Sequence, residues 1–405
     1  MGKAPRERRR EPAAGASRYA AWQLPPRSRR RRVGRVAHVI APRGCTGCIE
    51  KGWHSGRSPL GDGRFLRSLG REARAVQAVD FADGKLRLVD QRELPQAVRY
   101  LEIESAPEAR DAIRDMAVRG APAIGLAAAY AMALAAREAA EAADPGARLR
   151  MLADMIAQAR PTAVNLLHEV EVVLDLLTGS PAGWYEAALG HAEAMKAGQR
   201  LEDEALAQNA LPLFRPGMRV LTHCNTGALA TGGLGTAFAA ISLAHQQLGL
   251  TEVLADETRP RLQGARLTAF ELGQAGVPHR VIVDGAAAYC MAQGLVDLVI
   301  VGADRIGSDG RTANKIGTYG LAVLAKHHGI PFAVVAPRSS CDPLWPGARE
   351  VEIEQRDPRE VLEFMGQRVA SAGSDALNPA FDVTPGDLVT AIVREDGLFR
   401  PPYAF

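Results

Sequence analysis

The chain has 405 residues, of which 47% are hydrophobic and 23% charged, and its formal net charge is +3. This length supports two domains with their own cores, and the composition is normal for a globular protein. The positive charge comes from arginines near the N-terminus, so the rest of the chain predicts no nucleic-acid surface. No apolar run reaches the roughly 18 residues of a membrane span. The five sparse, irregularly spaced cysteines suit free thiols in a reducing cytoplasm, and we expect a cytoplasmic protein without membrane contacts.

Residues 1–72 differ from the rest of the chain. They contain arginine runs at residues 8–10 and 29–32, scattered Pro and Gly, and no apolar periodicity, which predicts disorder. Charge alone would also fit a nucleic-acid or membrane tail, and the arginines fit a transit peptide, although the acidic residues argue against the latter. We favour an extension without function, such as a start codon placed too far upstream. Cys45 and Cys48 form a lone CxxC without a second ligand pair at zinc spacing.

A β-hairpin and a series of helices are predicted for residues 73–210. Residues 79–89 alternate around Asp83 and Gly84, a strong hairpin signal. Helical patterns follow, and we expect a small hairpin and helical domain. The predicted helices are Pro107–Val118, Ala123–Ala142, Leu149–Gln158, Val164–Leu177 and Trp184–Gln208.

Strands alternate with helices in residues 211–405, which predicts an α/β domain with a Rossmann-like parallel sheet. No G-x-G-x-x-G motif follows the first strand, so dinucleotide binding is not indicated. A last helix is expected to begin within residues 381–389. The predicted strands are Arg219–His223, Thr251–Ala255, Arg280–Val283, Val296–Val301 and Pro331–Ala336, and the longer helices are Ala228–Leu248, Arg259–Gln274 and Ile316–His328.

The first of these strands ends in Thr-His-Cys-Asn-Thr-Gly at residues 222–227, directly before a helix. Cys224 would therefore lie near the carboxyl edge of the sheet and near a helix N-terminus, two features that favour the thiolate. A single cysteine is more often a buried structural residue. The polar neighbours His223, Asn225 and Thr226 leave the functional and the structural interpretation equally open.

The second strand is followed by a dense polar segment, Asp-Glu-Thr-Arg-Pro-Arg-Leu-Gln at residues 256–263. Helix capping would explain Asp256 and Glu257. It does not explain Arg259 and Arg261, whose charges oppose the helix dipole. We therefore interpret the two arginines as anion-binding.

Asp304 follows the fourth strand, where it could also cap a turn or pair with Arg305. Asn314 and Lys315 precede the next predicted helix, and backbone amides with a cation at a helix N-terminus predict a phosphate site. Because parallel strands end at one edge of the sheet, these strand ends bring reactive and anion-binding side chains together.

These stretches together resemble the 5-methylthioribose-1-phosphate isomerase family of the methionine salvage pathway. The resemblance runs from about Val76 to the C-terminus and leaves residues 1–72 unmatched. The matching stretches are RGAPAIG at 119–125, RPTAVN at 160–165, HCNTGALAT at 223–231, DETRPRLQGAR at 256–266, GADRI at 302–306 and ANKIGTY at 313–319.

The resemblance implies an aldose–ketose isomerase acting on 5-methylthioribose 1-phosphate. A phosphate on the anomeric oxygen prevents spontaneous ring opening, so an acid must protonate the ring oxygen before hydrogen moves from C2 to C1. The family implies Asp304 as proton donor and Cys224 as the second acid/base group, without metal or organic cofactor. It also implies a homodimer whose sugar-phosphate site lies between domains. The implied substrate contacts are Arg119, Gly120, Ala121, Arg160, Gln263, Asn314 and Lys315.

The family leaves alternatives open. Residues 166–169 (Leu-Leu-His-Glu) and Phe270 stand where aromatic residues and Trp are usual, and if they line the pocket a 5-deoxyribose 1-phosphate becomes an alternative substrate. Ribose-1,5-bisphosphate isomerases and regulatory subunits of a eukaryotic translation-initiation exchange factor belong to the same family. The regulatory subunits lack the catalytic Cys and Asp, which this chain has at Cys224 and Asp304.

Overall fold

The computed structural model of the protein describes residues 76–160, 163–345 and 351–405. The Arg-rich segment at residues 1–72 lies outside these ranges, as do Cys45, Cys48 and the Pro161-Thr162 step of the RPTAVN stretch. The expectations for those residues stay predictions.

A three-stranded antiparallel sheet begins the described chain. β1 (Val79–Ala82) and β2 (Lys85–Val89) form the predicted hairpin. Asp83 and Gly84 between them have φ angles of 54° and 74°, the positive values that a two-residue hairpin turn requires. β3 (Tyr100–Ile103) pairs with β2 and was not predicted, because a four-residue strand carries too short an alternation to separate it from a loop.

Helices follow this sheet close to the predicted positions. The second helix is apolar on all sides and almost entirely buried, and its many alanines let neighbouring helices approach it closely. The helices are α1 (Ala106–Arg114), α2 (Ala121–Ala140), α3 (Pro145–Ala157), α4 (Val164–Leu176) and α5 (Trp184–Ala210).

Helix α2 is also long and apolar enough to cross a membrane by length and composition, although its uncharged run ends at Arg137. In the structure 83% of its 18-residue apolar window is buried inside the protein. A core helix of a soluble protein passes the same test, so the length and composition of α2 are weak evidence for a span.

The remaining strands build a main sheet and smaller sheets. In chain order they are β4 (Arg219–Thr222), β5 (Glu252–Asp256), β6 (His279–Ile282), β7 (Leu298–Val301), β8 (Arg305–Gly307), β9 (Thr312–Lys315), β10 (Phe332–Val335), β11 (Cys341–Asp342), β12 (Glu363–Phe364), β13 (Gln367–Arg368), β14 (Phe381–Thr384), β15 (Ala391–Arg394) and β16 (Gly397–Phe399).

The main sheet has seven strands in the order β16-β15-β10-β7-β4-β5-β6. Neighbouring strands are parallel except for the antiparallel pair β15 and β16. From β4 the chain moves through β5 to β6 on one side, and then continues with β7 on the other side of β4. The direction of progression therefore reverses between β4 and β7. Ligands of open parallel sheets bind outside the carboxyl ends of the strands at such a point.

Both faces of the main sheet are covered. In β7, Leu298 and Ile300 belong to one core, and Val299 and Val301 belong to the core on the opposite face. This explains the uninterrupted apolar run that predicted a buried parallel strand. The helices of this half are α6 (Ala228–Thr231), α7 (Ala237–Leu248), α8 (Ala269–Gln274), α9 (Ala287–Ala292), α10 (Thr318–His328) and α11 (Arg359–Leu362).

The single helix predicted for residues 228–248 is interrupted in the structure. Gly232 and Gly235 between α6 and α7 have φ angles of 77° and 97°. The buried Asp203 carboxylate accepts hydrogen bonds from Leu234 N at 2.7 Å and Gly235 N at 2.9 Å. These amides thus bond to a side chain from α5 instead of to helix carbonyls. The break was not predicted because the apolar periodicity is helical on both sides of it.

The predicted last helix at residues 381–389 is wrong. Phe381–Thr384 is strand β14, which pairs with β9, and a 3₁₀ turn follows at Gly386–Leu388. Strands β15 and β16 then return to the main sheet. The partner strands come from distant parts of the chain, so the local pattern could not specify these pairings.

Candidate active site

Cys224 and Asp304 lie just beyond β4 and β7, the neighbouring strands between which the chain reverses its progression across the sheet. The negative charge of Asp304 contributes to raising the pKa of Cys224. The structure therefore brings together the two residues that the motifs singled out as acid/base groups.

Cys224 has an unusual backbone. Its φ angle is 63°, in the left-handed region that a side chain with a Cβ rarely adopts. Burial raises the pKa of its thiol above the ordinary value, while the positive charges of Lys315 and Arg119 act in the opposite direction. Burial thus favours the protonated thiol, and the two cations would stabilise a thiolate.

Asp304 is accessible to solvent at its residue surface, yet protein atoms surround its carboxyl group closely. The lost hydration raises its pKa, and the charge of Lys315 lowers it in part. A carboxyl group of this kind keeps its proton to a higher pH than usual, as a general acid requires.

Asn314 and Lys315 were predicted to lie at a helix N-terminus. They lie instead on strand β9. The Lys315 ammonium donates to Ala380 O at 2.9 Å and lies 4.4 Å from the Phe381 ring centroid. Asn314 is 6% exposed, and its amide donates to Thr318 Oγ1 at 3.0 Å. Both side chains are thus fixed by neighbours before any ligand binds.

The predicted phosphate cradle at the N-terminus of α10 is wrong. The Asp382 carboxylate accepts hydrogen bonds from Gly317 N at 2.8 Å and Tyr319 N at 3.0 Å. A carboxylate of the protein itself therefore occupies the amides that were expected to bind phosphate. Asp382 reaches them because β14 pairs with β9, a contact that the sequence pattern did not reveal.

A buried His–Asp pair lies beside Cys224. His223 and Asp256 are each 1% exposed, and His223 Nδ1 is 2.9 Å from Asp256 Oδ2. His223 Nε2 donates to Ile316 O at 2.9 Å, beside Lys315. Burial lowers the pKa of His223, but the Asp256 hydrogen bond and charge outweigh it and raise the pKa overall. Asp256 therefore pairs with His223 and ends β5 rather than capping a helix.

The sequence motifs did not indicate this pair, because it depends on how β4 and β5 pair. Strands β4 and β5 are in register with Thr222 opposite Ala255, so the next residues, His223 and Asp256, face each other. Among the described residues, His223, Asp256 and Asp284 have ligand atoms within 4.8 Å of one another. Both Asp284 oxygens accept backbone hydrogen bonds, from Thr258 N and Arg259 N, so Asp284 anchors the loop after β5.

Glu271 is a second buried acid that the sequence did not indicate. It is 7% exposed, and burial raises its pKa to about 7. Its carboxylate accepts from Asn225 Nδ2 at 2.6 Å and from Leu229 N at 3.0 Å. A Cβ on Gly227 would collide with this carboxylate, which explains the glycine in the HCNTG stretch.

Residues 119–121 connect the helical part to this site. Gly120 has a φ of 98°, and a Cβ there would collide with the backbone of Ala230 in α6. Ala121 is exposed at the start of α2. Burial lowers the pKa of Arg119 to about 10, the charge of Cys224 raises it, and the charges of Arg261 and Arg266 lower it further. Arg119 thus lies in a strongly positive environment suited to an anion.

Arg160, which is partly buried, and Gln263, which is buried, are polar side chains of the predicted substrate set. Nη1 of Arg160 is buried without a hydrogen-bond partner in the described structure. Burial lowers the pKa of Arg160, and the charge of Arg356 lowers it further. Gln263 is 5% exposed and lies just before the single π-helical turn Gly264–Thr268. Such π turns are frequent at functional sites.

The anion-binding interpretation of Arg259 is not borne out by its contacts. Its guanidinium donates to Pro260 O at 2.8 Å and to Glu360 O and Val361 O at 3.3 Å, and it lies over the Phe364 ring. Arg261 pairs with Glu360 Oε1 at 2.7 Å. The two arginines therefore hold the C-terminal segment around α11 against the loop after β5.

Leu166 and Phe270 are positions at which the sequence departs from the family pattern, and the alternative substrate depends on whether they line the pocket. Leu166 is fully buried in the core of the helical part, and Phe270 packs against the same core. His168 is exposed on α4. Packing in the helical core thus accounts for Leu166 and Phe270.

The chain belongs to the Initiation factor 2 subunit family, whose family model matches residues 117–401. Relatives of known name include a methylthioribose-1-phosphate isomerase from Synechococcus sp., 47% identical over 335 residues, which are 81% of this chain and 95% of that protein. The methylthioribose-1-phosphate isomerase of Pseudomonas aeruginosa is 49% identical over 339 residues, covering 82% and 94%. These similarities confirm the family that the motifs indicated.

Solved structures of the same family resemble this fold. The 5-methylthioribose 1-phosphate isomerase from Pyrococcus horikoshii OT3 has a TM-score of 0.78 at 37% identity, covering 83% of this chain and 95% of that chain. The translation initiation factor eIF-2B, subunit delta, from A. fulgidus has a TM-score of 0.75 at 40% identity, covering 81% and 97%. The fold is thus a mixed α/β fold with a helical part and a mostly parallel sheet.

Proposed function

We propose that the protein is an aldose–ketose isomerase that converts 5-methylthioribose 1-phosphate to 5-methylthioribulose 1-phosphate in methionine salvage. The observation that carries the chemistry is the placement of Cys224 and Asp304 beyond the adjacent strands β4 and β7, with Lys315 acting electrostatically on both. The named relatives at 47% and 49% identity support the substrate.

In the proposed reaction Asp304 donates its proton to the ring oxygen as the bond between C1 and that oxygen breaks. The hydrogen on C2 then moves to C1, and the proton of the C2 hydroxyl passes to the carboxylate left on Asp304, which leaves a ketone at C2 and the phosphate on C1. Cys224 is the second acid/base group, and its thiolate form would be stabilised by Lys315 and Arg119. The hydrogen on C2 can move as a hydride or as a proton through an enediol. A substrate deuterated at C2 distinguishes these two routes, since a hydride keeps the label at C1 and an enediol exchanges it with solvent.

We assign substrate binding to side chains and backbone from both parts of the fold. Arg160, whose buried Nη1 has no partner among the described residues, and Arg119 supply positive charge for the phosphate. Both arginines come from the helical part, whereas Gln263, Asn314 and Lys315 come from the sheet part. The full proposed set is Arg119, Gly120, Ala121, Arg160, Gln263, Asn314 and Lys315.

We also propose how the chain is divided into domains. Residues 73–210 would form a hairpin and helical domain, and residues 211–405 a Rossmann-like domain, with the substrate between them. Clefts between domains are favoured ligand sites. We further propose a cytoplasmic homodimer that requires no metal or organic cofactor.

A substrate panel tests this function. The purified protein is assayed with methylthioribose 1-phosphate, 5-deoxyribose 1-phosphate and ribose 1,5-bisphosphate side by side, with product detected by NMR. We expect turnover of the methylthio substrate at the highest kcat/KM. Faster turnover of another sugar would replace the substrate assignment.

The rival function is a non-catalytic regulatory subunit, favoured by the similarity to eIF-2B subunit delta at 40% identity. The presence of both Cys224 and Asp304 argues for the enzyme. Absence of turnover on every sugar phosphate of the panel would favour the rival.

A further inference from the structure

Two residues near the proposed catalytic centre share a strained backbone. Cys224 and Thr258 have φ angles of 63° and 64°. A left-handed conformation is unfavourable for any residue with a Cβ and is a genuine outlier for β-branched threonine. Strain of this kind persists only where surrounding contacts impose it, and it concentrates at functional sites.

Two threonine hydroxyls hold the backbone of Cys224 from both sides. Thr258 Oγ1 accepts a hydrogen bond from Cys224 N at 2.9 Å, and Thr268 Oγ1 donates one to Cys224 O at 2.5 Å. Thr258 is 0% and Thr268 is 3% exposed, so water cannot readily replace either bond. The sequence separations of 34 and 44 residues show that tertiary contacts, not a local turn, impose the conformation.

Both threonines are themselves fixed. The Asp284 carboxylate accepts hydrogen bonds from Thr258 N at 2.8 Å and from Arg259 N at 2.7 Å. Thr258 Oγ1 in turn donates to Asp256 O at 3.1 Å, so its donor and acceptor capacities are both used. The turn after β6 thereby supports the loop after β5, and that loop supports Cys224.

Thr268 has its own support. Asn225 Nδ2 donates to Thr268 Oγ1 at 3.2 Å and to Glu271 Oε2 at 2.6 Å. Thr268 ends the π turn and Glu271 lies one turn further along the chain. The residue after Cys224 is therefore bound to the same segment that holds the Cys224 carbonyl.

We propose that Thr258 and Thr268 are positioning residues that impose the left-handed conformation of Cys224 and so direct its thiol, with Asp284 acting through Thr258. The catalytic consequence rests on the proposed function. The effect on the thiol itself does not, and it can be measured without substrate.

The test replaces each hydroxyl by a methyl group of similar size, in Thr258→Val and Thr268→Val. We expect each variant to lower kcat by about 10-fold or more with a smaller change in KM, the loss expected from one buried hydrogen bond. The rate of Cys224 alkylation by iodoacetamide, read by peptide mass spectrometry from pH 7 to 10, should change by about 3-fold or more. Thr258→Ser and Thr268→Ser should restore both quantities.

Thr251→Val is the matched control. Its hydroxyl also donates to a backbone carbonyl, Gly217 O at 2.8 Å, but at the opposite edge of the sheet. This variant should leave kcat and Cys224 alkylation as in the wild type. Folded valine variants at positions 258 and 268 that also match the wild type in both readouts would overturn the proposal.

A second measurement covers the case in which the valine variants do not fold. Cys224→Gly and Cys224→Ala both remove the thiol, but only glycine tolerates a positive φ without strain. We expect the glycine variant to unfold at a higher urea concentration than the alanine variant. The reverse order would contradict a strained Cys224. If the wild type proves inactive on the substrate panel while alkylation responds as expected, the proposed function fails and the positioning role stands.

Discussion

Cys224 and Asp304 follow neighbouring strands of the sheet, and the charge of Lys315 acts on both of them. Burial raises the pKa of each group, so both hold their protons more tightly than in water. One cation that acts on two acids can stabilise whichever of them becomes negative during a proton transfer.

The first prediction concerns the two acid/base groups. Cys224→Ala and Asp304→Asn should each reduce kcat by about 10²–10⁴-fold, the usual contribution of a positioned proton-transfer group. The fold should persist, as judged by circular dichroism and thermal unfolding. Turnover is measured with methylthioribose 1-phosphate.

Matched controls exist for both substitutions. Cys341 is partly buried like Cys224, and Asp309 is exposed and paired with Arg311. Cys341→Ala and Asp309→Asn should keep turnover near the wild-type value. Near-normal kcat in Cys224→Ala or Asp304→Asn would remove that residue from the mechanism.

The second prediction concerns phosphate binding by Arg160. Arg160→Met should raise KM by about 10- to 100-fold with a smaller effect on kcat, because a charge-assisted hydrogen bond to the phosphate is lost. Arg150→Met on α3, where the side chain is exposed, serves as control. Steady-state kinetics check this, and an unchanged KM for Arg160→Met would exclude a phosphate contact.

The third prediction concerns stability and pH at Glu271. Burial raises its pKa from the ordinary 4.5 to about 7. Between these values the folded protein binds a proton that the unfolded chain has released, so its contribution makes stability fall as pH rises and level off above pH 7. The total effect is on the order of 3 kcal/mol.

Glu271→Gln removes this titration. The free energy of unfolding, measured from urea denaturation between pH 5 and 8, should fall less steeply with pH in Glu271→Gln than in the wild type. Glu186→Gln, at an exposed position of α5, should keep the wild-type slope. Parallel curves for wild type and Glu271→Gln would show that Glu271 does not titrate in this range.

The fourth prediction concerns the buried pair His223–Asp256. Removing either partner leaves the other buried without its hydrogen bond, so Asp256→Ala and His223→Ala should each cost about 3–5 kcal/mol. The double variant should cost clearly less than the sum, because the unpaired group is then gone. Urea denaturation of the four proteins measures this coupling.

The exposed pair of Arg280 and Glu252 on the same sheet provides the contrast. Its removal should cost no more than about 1 kcal/mol, as for most surface ion pairs. Additive costs at His223 and Asp256 would mean that the two side chains do not interact in solution.

Much of the site could be predicted from local pattern. The apolar runs marked the strands, and polar residues after them marked Cys224 and Asp304, because parallel strands end at one edge of their sheet. The hairpin at Asp83 and Gly84 followed from the positive φ angles that its turn needs. These features depend on residues close together in the chain.

Other features required the tertiary structure, because they arise from contacts between distant residues. The strand order, and with it the reversal between β4 and β7, is set by packing across the whole sheet. Strand β14 pairs with β9 at Asn314 and Lys315, and the same pairing brings Asp382 to the N-terminus of α10. The sequence by itself thus determined which residues end the strands. The tertiary structure decided which of them meet, since one strand's neighbours are not encoded in its own pattern.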